Sequence, residues 1–80
     1  MHELSLAVSL IELAEVEAVK SGNSRILSVK VIVGKTSGVD ADAFSFMLDI
    51  AKKNTMMENA RIDLEIVEGE EFRLVKMEVE

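Results

Sequence analysis

Cysteine, proline, tryptophan and tyrosine are all missing from the 80 residues of this chain. Without cysteine there is no disulfide and no thiolate metal site. The single histidine, His2, stands next to the first residue, with no Ser-His-Asp arrangement around it. Gly34 and Gly38 do not make a phosphate-binding loop: Gly34 is followed by Lys35-Thr36, but Val29 stands where that motif has its first glycine. No enzyme reading therefore survives. Basic residues are scarce as well, and a net charge of −6 argues against nucleic acid, which attracts basic surfaces. The apolar runs are too short to span a bilayer. The opening is acidic and lacks the basic start of a signal peptide, so the expected setting is the reducing cytoplasm, away from membranes.

What is present is a patterned chain of the size of one small domain, residues 1–80, with 49% apolar residues for a core. From Leu4 to Lys20 the apolar residues keep a helical period. Leu4, Ala7, Ile11, Ala14 and Ala18 lie on one line, flanked by Leu6, Leu10 and Leu13. Ser21-Gly22-Asn23 supplies the stop, with Gly22 suited to the left-handed position. Ile26 to Val33 predicts a strand, with Leu27, Val29, Val31 and Val33 on one face. After a loop over 34–38, Asp40 takes an N-cap position and a second helix runs to about Asn54. Phe44, Met47, Leu48 and Ala51 form its inner stripe, with Phe46 and Ile50 beside it; both phenylalanines read as core.

Ile62, Leu64 and Ile66 alternate as a second strand, and Phe72 to Val79 forms a third. The apolar phase slips within that last strand, from Phe72 and Leu74 to Val75, Met77 and Val79. A bulge near Leu74 or burial on both faces accounts for this. The turn Glu68-Gly69-Glu70 is short enough to join the last two strands as an antiparallel hairpin, and which strand lies in the middle is not readable. The order α-β-α-β-β predicts an α+β fold, with two helices packed on one face of a three-stranded sheet. A right-handed crossover makes the first two strands parallel.

Chemistry concentrates at the start. Met1, His2 and Glu3 offer an α-amine, an imidazole and a carboxylate within one stretch of backbone. The amine, the peptide nitrogen of His2 and its Nδ1 can close adjoining chelate rings on one metal ion, and the peptide nitrogen of Glu3 can complete a planar set. Such a set suits Ni(II) or Cu(II) better than Zn(II) or Mg(II). A histidine near a terminus is also commonly a plain solvated side chain. Met56-Met57 reads as core filling, and Glu68, Glu70 and Glu71 as a solvated turn.

The string Met1-His2-Glu3-Leu4-Ser5-Leu6-Ala7 resembles the start of the HypA/HybF family, the nickel-delivery chaperones of nickel–iron hydrogenase maturation. The likeness continues through Lys30-Val31-Ile32-Val33-Gly34, Ser37-Gly38-Val39-Asp40, Phe44, Thr55, Ala60 and Leu64-Glu65-Ile66, and into the ending from Gly69 to Glu80. It implies a nickel metallochaperone that holds Ni(II) through Met1, His2 and Glu3, with Asp40 near the metal as an oxygen ligand or a hydrogen-bond acceptor. The implied partners are the nickel-handling maturation GTPase, the hydrogenase large-subunit precursor and, in some bacteria, a urease accessory protein. Family members carry a zinc module with paired Cys-x-x-Cys motifs between the last two strands. Here Val67 passes through Glu68 straight into Gly69, so that module is absent between about 67 and 69 and no zinc is expected. Exposed sheet edges or an exchanged final strand leave a monomer and a strand-exchanged dimer both open. The rival reading is a protein-interaction module that docks a maturation partner without metal.

Overall fold

The computed structural model describes residues 2–80. Its elements follow the expected order: α1 (His2–Lys20), β1 (Ile26–Gly34), α2 (Ala41–Ala51), β2 (Arg61–Val67) and β3 (Phe72–Val79). The two helices and the three-stranded mixed sheet make the expected α+β fold. Helix α1 begins at His2, two residues before the apolar pattern starts, so both His2 and Glu3 lie in its first turn. It stops where Gly22 turns left-handed at φ 77°. There Asn23 N–H donates to the Ala18 carbonyl at 3.0 Å and Gly22 N–H to that of Val19 at 2.9 Å, which closes the helix end. Helix α2 ends at Ala51, three residues short of the expected Asn54. Lys52 caps it and Asn54 takes a positive φ of 63°.

Strand β1 lies in the middle, in the order β2-β1-β3. It runs parallel to β2 and antiparallel to β3, so the crossover through α2 has the expected outcome. The β2–β3 hairpin that the short turn allowed does not form, because β1 lies between those strands. The turn length was compatible with a hairpin, but β1 carries Val29, Val31 and Val33, all buried, and so takes the protected central position. The connection 68–71 instead passes across the end of β1, a span of about 10 Å for two strand spacings. It is tied there by backbone bonds. Gly34 N–H donates to Glu71 O at 2.6 Å, Lys35 N–H to Val67 O at 2.8 Å, and Thr36 N–H to Gly69 O at 2.9 Å. A Cβ on Gly34 would stand 2.2 Å from the Gly69 carbonyl oxygen, so this position admits only glycine without a rearrangement.

The phase slip in β3 has its physical cause in a bulge. Lys30 pairs with Lys76 and Val31 with Leu74, which leaves Val75 without a partner. That extra residue brings Phe72, Leu74, Met77 and Val79 together against the core while Val75 faces out. A second shift, between Ile26 and Ser28, corrects the reading of β1. Leu27 is 44% exposed, whereas Ile26 is buried with the valines. The core lies between helices and sheet and is built from Ala7, Leu10, Ile11, Ala14 and Ala18 of α1, Phe44 and Leu48 of α2, Ile26, Val29, Val31 and Val33 of β1, and Met57 and Ala60. Phe44 meets Phe72 edge to face at 5.1 Å.

Candidate metal centre

The loop after β1 returns the chain so that α2 starts beside the start of α1. Asp40 adopts an extended conformation, φ −80° and ψ 109°, and its Oδ1 accepts the Ala43 N–H at 3.1 Å. The N-cap role expected for Asp40 is thus realised. Glu3 connects the two helix starts. Its Oε2 accepts the Asp40 N–H at 3.4 Å and lies 3.9 Å from Nδ1 of His2. The structure therefore brings His2, Glu3 and Asp40 to one place, while Met1 falls outside the described residues.

The electrostatics of this place are mixed. Two helix N-termini converge on it, and each presents partial positive charge. The carboxylates of Glu3 and Asp40, with Asp42 in the first turn of α2, offset that charge. The imidazole of His2 is largely exposed and Glu3 largely covered, so the histidine is free to meet an incoming ligand. Among the described residues, no group of three His, Cys, Asp or Glu side chains is placed to hold a metal ion. Side chains alone do not supply a coordination shell here. A metal ion held here would need backbone nitrogens as well, and the first-turn N–H groups of His2 and Glu3 have no acceptor within the helix.

The other sequence candidates take structural places. Met57 is fully buried, and Met56 donates its N–H to Glu15 Oε2 at 3.0 Å, so this pair packs the connector. Glu68 pairs with Lys35 at 2.9 Å and Glu71 with Arg73 at 2.7 Å, both exposed. Phe46 departs from expectation. It is 63% exposed, and only Phe44 of that pair belongs to the core. The helix buries the line through Phe44 and Leu48, and a residue two positions from Phe44 lies on another side of the cylinder.

Fold and site together define a small α+β domain with a ligand-rich corner at the start of its first helix. Residues 1–71 match the family model described as hydrogenase/urease nickel incorporation, metallochaperone, hypA, and the chain belongs to that family. It is 46% identical over 67 residues to the hydrogenase maturation factor HypA of Roseiflexus sp. (strain RS-1), covering 84% of this chain and 54% of that one. It is 41% identical over 70 residues to the HypA of Parabacteroides distasonis, covering 88% and 61%. The chain thus spans little more than half the length of these relatives. The solution structure of the Ni metallochaperone HypA from Helicobacter pylori superimposes with a TM-score of 0.87 at 20% identity, over 96% of each chain, a likeness of fold.

Proposed function

We propose that this chain is a single nickel-binding domain, residues 1–80 without a zinc module, that takes up one Ni(II) as cargo and passes it on in hydrogenase maturation. The donors are the free α-amine of Met1, the imidazole of His2 and the peptide nitrogens of His2 and Glu3, with Asp40 beside them. The observation that carries this reading is the position of His2 and Glu3 in the first turn of α1, next to the α2 cap. Converting those amides to metal ligands sacrifices no helical hydrogen bond. The carboxylate of Glu3, already turned toward His2 Nδ1, helps to offset the dipoles of both helices.

Uptake requires loss of protons from amine and amides. An ordinary α-amine titrates near pH ~8, so affinity falls as pH drops below that. A site at a chain end with one imidazole is suited to release as well as capture. The partners proposed are the nickel-handling maturation GTPase as the loading protein and the hydrogenase large-subunit precursor as the destination. Urease maturation is a second destination, in keeping with the family description. The role is transfer in the cytoplasm, with no catalytic step assigned to the chain.

Calorimetric titration with nickel, with Met1 as the free first residue, tests the reading. One ion should bind per chain, and His2→Ala should remove binding while circular dichroism stays unchanged. Undiminished nickel binding by the His2→Ala variant would refute the proposed donor set.

A further inference from the structure

Strand order leaves β3 at one edge of the sheet, since among the described residues it pairs with β1 alone. Such an edge presents a row of backbone N–H and C=O groups onto which another extended chain can add. An apolar groove of about 250 Å³ runs beside it, with Leu6, Leu10 and Leu13 of α1 on one wall and Phe72 and Leu74 of β3 on the other. Leu13 is 50% exposed, and Val16, on the same side of α1, is 51% exposed. An unpaired strand edge and an uncovered apolar strip thus lie side by side.

The sequence of β3 singles out the occupant, because the strand is complementary to itself. When a second β3 is laid antiparallel on the first, with the two-fold axis between Val75 and Lys76, Phe72 faces Val79 of the other copy, Leu74 faces Met77, and Arg73 faces Glu78. The apolar residues, all turned toward the core side, meet one another, and opposite charges meet twice per dimer. The bulge makes this register work. In a regular strand Phe72 and Val79 would lie on opposite faces, and the extra residue Val75 returns them to one face. The two bulges meet at the axis, so one extra residue is matched by another. In the single chain Arg73 is held by Glu71 at 2.7 Å and Glu78 accepts the Ser28 hydroxyl at 2.6 Å, yet both side chains remain more than half exposed.

From this we infer that the open edge of β3 and the adjoining side of α1 dock a second copy of this chain, whose β3 extends the sheet across a two-fold axis. The helices fit the same axis. Helix α1 rests over both β1 and β3, so joining two copies at β3 sets their α1 helices two strand spacings apart, about 10 Å, the distance at which helices pack. Leu6, Leu13 and Val16 then close on their counterparts, and Glu17 beside them is already engaged by Lys20 at 3.8 Å. His2 and Glu3, at the first turn of α1, lie at the far ends of the antiparallel helix pair and stay open. No proposed metal donor belongs to the docking surface, so nickel uptake and self-docking are separable.

Sedimentation equilibrium of the full chain over a concentration series is the test. The parent should show a reversible monomer–dimer equilibrium. Leu13→Ser should weaken it about tenfold or more, and Val19→Ser, at an exposed apolar position on another side of α1, should leave it unchanged. Arg73→Glu and Glu78→Arg should each stay monomeric where the parent is dimeric, because like charges then face each other twice across the axis. Mixed in equal amounts, these two variants should dimerise with each other, since every facing pair is again of opposite sign. Circular dichroism checks that both are folded, and recovery on mixing is a result that a folding defect does not produce. A parent that is monomeric throughout the series, or a mixture no more associated than its components, would overturn the inference. A dimer indifferent to Leu13→Ser and to both charge reversals would point to exchange of β3 between the copies and overturn it too.

Discussion

The two outer surfaces of this domain handle charge in opposite ways. On the open face of the sheet, Lys30 meets Glu65 at 2.8 Å, Arg61 approaches Glu78 at 3.8 Å, and the Ser28 hydroxyl donates to Glu78 at 2.6 Å. That face satisfies itself. The helix layer has six carboxylates and a single lysine, which Glu17 already engages at 3.8 Å. Its excess of carboxylates, its exposed phenylalanine and the converging helix starts all belong to the layer opposite the sheet grid. The contrast teaches that the sheet face pairs its own charges, while the helix layer keeps an excess of carboxylates beside the proposed metal corner.

Substitutions at the scaffold should cost stability and leave metal uptake to follow folding. The largest effect is expected for Phe44→Ala, which empties a fully buried site and removes the contact with Phe72. A loss of about 3–5 kcal/mol is expected in denaturant unfolding. Gly34→Ala comes next. The new methyl collides with the Gly69 carbonyl where 68–71 crosses β1, at a cost of about 1–3 kcal/mol measured the same way. Should this variant be as stable as the parent, the crossing would be looser than the backbone bonds indicate.

Asp40→Ala sharpens the comparison at the junction of the layers. Losing the cap should cost about 1 kcal/mol, and Asp40→Asn should restore most of it. If nickel affinity falls in the asparagine variant while stability does not, Asp40 acts on the metal through its charge.

The smallest effect belongs to the sheet grid. Lys30→Ala should shift the unfolding midpoint barely, since exposed ion pairs contribute little. The pH dependence has a definite sign. The hydroxyl of Ser28, aided by Lys76 and Arg61, holds the Glu78 carboxyl below its ordinary 4.5, so its stabilisation is present above that value and fades as acid takes pH below it. The Glu65 carboxylate raises Lys30 above 10.5, so that contribution is complete below 10.5 and disappears as pH climbs beyond. Unfolding midpoints followed across both windows check the two directions.

Element order, the parallel crossover and the bulge in β3 were legible because each leaves a period or a break of period in one segment. Strand order was not, because the pattern in β2 and β3 is the same whether they touch each other or flank β1. The shift at Leu27 also escaped, since Ile26 and Leu27 are both apolar and either could face the core. Phe46 was misread for a related reason: helical spacing places it near Phe44 in sequence, but the buried line passes through Leu48. At the metal corner, His2 and Glu3 were visible as residue types. The bond between Glu3 and the Asp40 N–H was not, since it depends on how α1 and α2 pack.

The most direct measurement compares nickel titrations of the chain with Met1 as a free amine and of the same chain acetylated at that nitrogen. Acetylation leaves every residue of the fold in place and removes one proposed donor. Binding of one ion by the free chain, with uptake largely lost after acetylation, is the result expected. Equal uptake by both would contradict an amine-based site and leave the helix layer without the cargo assigned to it.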